Sequence, residues 1–220
     1  MFLEEAEWIR RHLGGLALGP DHRVLDIGSS TETFRRLHQP FIDFHIFLPL
    51  RRAGVRVVHV DQRLGDGVDV RCDLADPAQE REVAQLEPAD AVLCCNLLEH
   101  VLDRELVLRR ARSLVRPGGV LVLTVPFRYR YHEDPIDTMY RPSPDELVGL
   151  FQPPWRPQAA DVVEVEAEAV YGRRLTVPER AVNKLLRSAG RSPRFRRRKT
   201  RNQVSCVVMV RGETGAEGGA

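Results

Sequence analysis

Between Arg23 and Phe127 the chain repeats one pattern five times: a short apolar run, a polar end, then a stretch of helical or turn character. The runs are Arg23–Ile27, Val55–Asp61, a short VDVRCD ending at Asp73, Asp90–Asn96 and Val120–Phe127. Apolar runs of this length suit strands buried on both faces, and strands alternating with helices imply a parallel sheet covered on both sides. The intervening stretches predict a helix to about His38, a second piece from Phe41 to Leu48 stopped by Pro49, and helices over Pro77–Leu86 and Leu97–Val115. RPGG, Arg116–Gly119, reads as a turn. A leading amphipathic helix, Met1–His12, precedes the first strand, with Trp8 and Ile9 as its apolar anchors.

The last third breaks the rhythm. Pro142–Phe151 predicts a short helix, since Ser143 stands before Pro144 at the first helical position. Asp161–Gly172 alternates apolar and acidic residues, as a strand with one solvated face does. A helical PERAVNKLLRSAG, a basic segment and a final strand, Asn202–Gly212, follow. The reading is one domain over residues 1–211, an inserted cap over 176–201 between the last two strands, and a disordered tail over 212–220. With 220 residues, 43% hydrophobic and 29% charged, the chain suits one soluble domain with a full core. No apolar stretch approaches the roughly 20 residues of a membrane span. Early acids argue against a signal peptide, so a cytoplasmic protein with no membrane partner is expected. Cys72, Cys94, Cys95 and Cys206 lack metal-ligand spacing and read as small buried hydrophobes.

The first strand-to-helix turn points to chemistry. Gly28 permits a tight turn, while Ser29, Ser30 and Thr31 are residue types that cap helices. In doubly wound α/β proteins a nucleotide-like cofactor lies here against exposed backbone N–H groups. Asp61 ends the second strand, where a carboxylate can accept hydrogen bonds from both ribose hydroxyls. Its distance from Gly28 exceeds the roughly 20 residues of a plain dinucleotide unit. The extra length falls in an inserted helical piece at Pro40–Leu50.

Taken in order, VLDIGSS, VVHVDQR, CDLAD, DAVLCCNLLEHV and LVRPGGVLVLTVP resemble the Rossmann-like, class I family of S-adenosylmethionine-dependent methyltransferases. The resemblance implies an α/β fold: a doubly wound, mainly parallel seven-stranded sheet with an antiparallel last strand. It implies S-adenosylmethionine as cofactor. Asp26 would serve its methionine ammonium end, and Gly28, Ser29 and Ser30 its backbone cradle. Asp61 would serve the ribose, Asp73 and the Leu74 N–H the adenine, and Gln62 and Asn96, at the ends of the second and fourth strands, would also line the cofactor. The chain departs from the family's GxGxG by having GSSTE, which leaves Gly28 as the single glycine.

Catalytic residues are sought in the loop after the fifth strand. His132, with Asp134 or Asp137 to orient it, suits proton removal from a hydroxyl acceptor. His100 is a further candidate, and Glu99 reads as favouring its helix's first turn through the dipole. A metal held by His132, Asp134 and Asp137 matches no standard spacing, and none is assigned. The leading expectation is O-methylation of a small or sugar-containing acceptor. Between Arg187 and Arg201 lie eight basic residues and no acid, so the rest of a chain of net charge +2 carries −6. That segment favours an anionic small-molecule partner. Two alternatives stay open: an RNA methyltransferase using residues 187–201 as a phosphate-binding arm, and a non-catalytic methyltransferase-like binding protein.

Overall fold

The computed structural model of the protein describes residues 1–132, 136–166 and 201–213. Seven strands form one sheet: β1 (Arg23–Ile27), β2 (Arg56–Asp61), β3 (Val70–Arg71), β4 (Ala89–Cys95), β5 (Val115–Arg128), β6 (Trp155–Glu166) and β7 (Arg201–Arg211). Their spatial order is β3-β2-β1-β4-β5-β7-β6. The first five pair in parallel, and β7 runs antiparallel between β5 and β6, so β6 points the same way as β5. This is the expected α/β topology with its antiparallel last strand. The order turns outward on either side of β1, which opens a crevice at the carboxyl edge between β1 and β4.

Side-chain alternation along the strands divides the core in two. Leu25, Ile27, Val92, Cys94, Leu121 and Leu123 pack on one face, under α4 (Glu80–Ala84), α5 (Arg104–Ser113) and α6 (Pro144–Gly149). Val24, Ala91, Leu93, Val120 and Val122 pack on the other. That second face is covered by α1 (Leu3–Gly14) through Ala6, Ile9 and Leu13. Ile42 of α2 (Pro40–Ile42) and Leu50 of α3 (Leu48–Arg52) also cover it. The Trp8 indole N–H donates to Asp161 Oδ2 at 2.9 Å and ties α1 to β6.

Several boundaries differ from the sequence expectation. The helix expected over Leu97–Val115 is a 3₁₀ turn at Leu98–His100 followed by α5, because Asp103 caps at the later point and accepts from Leu106 N at 2.9 Å. Pro49 does not stop the helical piece before it. It stands in the first turn of α3, where its missing N–H costs nothing. Strand β5 starts at Val115 rather than Val120: Val115 pairs with Ala89, and RPGG is taken up as an irregularity in the pairing, with Gly118 at φ 76°, before Val120 pairs with Ala91. Strand β6 begins at Trp155, because β7 offers it pairing partners from Arg211 onward. The proposed cap over 176–201, apart from the backbone of Arg201, lies outside the described residues, as do residues 214–220 of the tail.

Candidate active site

A cleft of about 840 Å³ opens at the carboxyl edge of β1, β2 and β4. Its wall contains Asp26, Gly28, Ser29, Ser30, Asp61 and Gln62 on one side. Asp73, Leu74, Asn96, His100 and His132 continue it. Of the other two residues singled out from the sequence, Asp137 lies behind the wall and Asp134 is outside the described residues.

The turn after β1 is built without the family's glycines. Gly28 sits at φ 72°, and a Cβ there would meet Leu97 Cδ1 at 3.2 Å, so this position needs glycine. The N–H groups of Gly28 and Ser29 donate to Val60 O at 2.9 and 3.1 Å. Ser30 takes a left-handed conformation at φ 55°, and its N–H donates to Asp61 Oδ2 at 2.8 Å. The carbonyls of Ser29 and Ser30 accept from Arg35 Nη1 at 2.9 and 2.6 Å, and Gly67 O accepts from Nη2 at 2.7 Å. Arg35 is buried, and burial lowers its pKa against the opposing charges of Asp26 and Glu32. A guanidinium fork therefore holds the loop that glycines shape elsewhere. Lysine has one ammonium and cannot span three carbonyls. Arg35→Lys is expected to weaken S-adenosylmethionine binding about tenfold in a calorimetric titration, or about 1.4 kcal/mol.

The other acids are equally anchored. Asp61 Oδ1 accepts from Arg63 N at 2.9 Å while Oδ2 holds Ser30, which leaves lone pairs on both oxygens. Asp26 Oδ2 lies 2.8 Å from His59 Nδ1, and its other oxygen has no partner among the described residues. Asp73 Oδ1 accepts from Ala75 N at 2.8 Å, and the Leu74 N–H has no acceptor among the described residues. Buried Arg110 of α5 fixes this second loop through Leu74 O at 3.0 Å and Asp76 O at 2.8 Å.

At the far end, buried Glu5 of α1 accepts from Asn96 Nδ2 at 2.6 Å and from Thr124 Oγ1 at 2.5 Å. The side chain of Asn96 is thus tied to the leading helix. Glu99, read from the sequence as a helix-turn residue, is instead fully buried in the 3₁₀ turn and lines the cleft. Both of its carboxylate oxygens lack a hydrogen-bond partner among the described residues. Burial, with the charge of Glu5 adding to it, pushes this carboxyl up to about 8. His100 Nδ1 lies 2.5 Å from Ile136 O, so Nδ1 donates to that carbonyl, and Nε2 lies 3.6 Å from Glu99 Oε1. The His132 ring meets His100 edge-on at 5.1 Å. Burial and the neighbouring His100 hold the His132 pKa below its ordinary value, against the pull of Asp137.

Asp137 was expected to orient the His132 ring, and its Oδ2 lies 3.1 Å from Nδ1. Its firmer bonds are elsewhere. Arg141 Nη1 and Nη2 donate to the two oxygens at 3.0 and 2.6 Å, and the N–H groups of His132 and Met139 donate at 3.0 and 2.8 Å. Burial alone would raise this carboxyl, but those donors outweigh it and hold it far below the usual carboxylate range. Asp137 positions the loop backbone that carries His132. Asp137→Asn leaves Arg141 poorly paired and should cost on the order of 3 kcal/mol. A group depressed in the folded state stabilises above its unfolded pKa and loses that contribution on acidification. The difference in melting temperature between wild type and Asp137→Asn should therefore narrow below about pH 4.

Sheet order, switch-point cleft and strand-end acids together define a class I, Rossmann-like S-adenosylmethionine-dependent methyltransferase fold. A family model described as a methyltransferase domain matches residues 4–190, and the chain belongs to that family. The ubiquinone biosynthesis O-methyltransferase of Aeromonas salmonicida is 33% identical over 126 residues, covering 54% of this chain and 48% of that protein. The enzyme of the same name from Azorhizobium caulinodans is 34% identical over 85 residues, covering 34% of each. The chain thus spans half or less of the length of these curated relatives. The crystal structure of coclaurine N-methyltransferase bound to N-methylheliamine and SAH matches 94% of this chain and 72% of that one. Its TM-score is 0.57 at 14% identity, which shows the shared fold. S-Adenosylmethionine is the cofactor of this family, and the cleft fits it: Asp61 keeps free lone pairs, while Asp26 Oδ1 and the Leu74 N–H await partners. No helix among the described residues is long and apolar enough to cross a membrane.

Proposed function

We propose that the protein transfers a methyl group from S-adenosylmethionine to a hydroxyl oxygen of a small-molecule acceptor. The observation that carries this reading is one continuous cleft joining two chemistries. Anchored acids line the β1–β2 end and the Leu74 N–H stands beside them, while Glu99, His100 and His132 lie at the other end. The cofactor presents its methyl on a sulfonium, so transfer forms an oxygen–carbon bond as the carbon–sulfur bond breaks, and the acceptor's proton must leave. Asp61 would accept from the ribose hydroxyls, with Gln62 beside it, and the Asp73–Leu74 loop would take the adenine. Asp26, Ser29, Ser30 and Asn96 would hold the methionine end. His132, whose pKa is held below its ordinary value by burial and the neighbouring His100, would receive the acceptor's proton, with His100 beside it. Tyr129, which stacks edge-on with both Phe2 and His132, would wall the acceptor. The relatives' name, O-methyltransferase, supports oxygen as the acceptor atom. The basic segment 187–201, from which an anionic acceptor is expected, lies outside the described residues apart from the backbone of Arg201.

The test is incubation with methyl-labelled S-adenosylmethionine and a panel of hydroxylated small molecules, read by mass spectrometry. Label on an acceptor oxygen supports the reading. Tight cofactor binding with no transfer to hydroxyl, amine or carbon acceptors would favour the binding-protein alternative, and transfer to RNA the nucleic-acid one.

A further inference from the structure

Three side chains at the acceptor end converge in a way that hydrogen bonding does not explain. Glu99, His100 and His132 each offer an atom within 4.8 Å of the other two. A cation with bonds of about 2.1 Å holds cis ligand atoms roughly 3–3.5 Å apart, so a shift of about an ångström closes the set. Glu99 is fully buried, faces the cleft and has both oxygens unpartnered. A buried carboxylate with no donor is costly unless a charge or a proton meets it. His100 is arranged as a ligand: its Nδ1–H is spent on the Ile136 carbonyl, which fixes the tautomer and aims the Nε2 lone pair at the cluster. The backbone of His132 is held by Asp137, itself clamped by Arg141, so a second anchored element delivers the third donor.

We propose that Glu99, His100 and His132 bind one divalent transition-metal ion, with open positions facing the cleft. Two imidazoles and one carboxylate suit zinc or manganese better than magnesium, which prefers oxygen ligands. The inference rests on the reading of the site as a hydroxyl methyltransferase. With the ion bound, the two imidazoles would act as ligands in place of proton acceptors: the ion would take the acceptor's oxygen as a ligand, and the coordinated hydroxyl would release its proton to solvent more readily. Oxygen ligands able to reach the open positions would then be favoured substrates, and an amine acceptor would not need the ion.

The metal is tested alone. Untagged protein, freed of metal with chelator, is titrated calorimetrically with zinc and with manganese, without cofactor. Saturable binding of one ion per chain is expected, weakened at least about 100-fold in both Glu99→Gln and His132→Ala. The His132 side chain is partly exposed, so the second variant keeps the test valid if the buried one misfolds. Absence of saturable binding by wild type, or unchanged binding in His132→Ala, overturns the proposal. A parallel titration of the metal-free protein with S-adenosylmethionine separates the two readings. Cofactor binding without metal binding overturns the metal site alone. Metal binding without cofactor binding retains the ion site and removes the methyltransferase reading.

Discussion

Replacing Asp61 with alanine should reduce S-adenosylmethionine affinity by about 30–150-fold, or about 2–3 kcal/mol. Two losses combine. The carboxylate is the group proposed to accept from the ribose, and it also holds the Ser30 N–H at 2.8 Å in a left-handed turn. The second loss frees the loop to leave a conformation that serine adopts only under constraint. The core strands do not depend on Asp61, so the variant should fold, with its circular dichroism unchanged. Calorimetry with the cofactor checks the prediction, and wild-type affinity in a folded Asp61→Ala protein would remove the residue from the site.

Substituting His132 by alanine should act on the other half of the reaction. Turnover is expected to fall by about 10²–10⁴-fold, with cofactor affinity unchanged. The residue sits against His100 and Tyr129 at the acceptor end, away from the Ser29–Ser30 loop. Whether His132 takes the proton itself or helps hold an ion that releases it, its loss falls on the chemical step. Single-turnover kinetics with the cofactor prebound provide the readout. Unchanged rates, with chemistry shown to be limiting, would exclude the role.

What the sequence made legible was the local pattern. Val24, Leu25 and Ile27 form a buried strand because an apolar run ending in a glycine turn has few other uses. Asp61, Asp73 and Asn96 lie at the strand ends where the pattern placed them. The residues that were missed act across long sequence separations. Arg35 and Arg110 look like surface charges on helical stretches, yet each is buried and clamps the carbonyls of one cleft loop. Glu5 meets Asn96 and Thr124 only because α1 docks over the sheet. Glu99 reads as a helix start because Leu97–Val115 looks like one continuous helix, whereas the cap at Asp103 starts α5 later and leaves Glu99 in a separate 3₁₀ turn. The serines that stand after Gly28 in place of glycines are held by the Arg35 guanidinium, a restraint that no local pattern announces.

The central claim is that the cleft holds S-adenosylmethionine through the loop after β1 and the acid ending β2. Isothermal titration of the wild-type protein with S-adenosylmethionine tests it most directly. One site per chain is predicted, with affinity lowered by both Arg35→Lys and Asp61→Ala. Absence of saturable binding to folded wild-type protein, or binding that neither substitution alters, would contradict it.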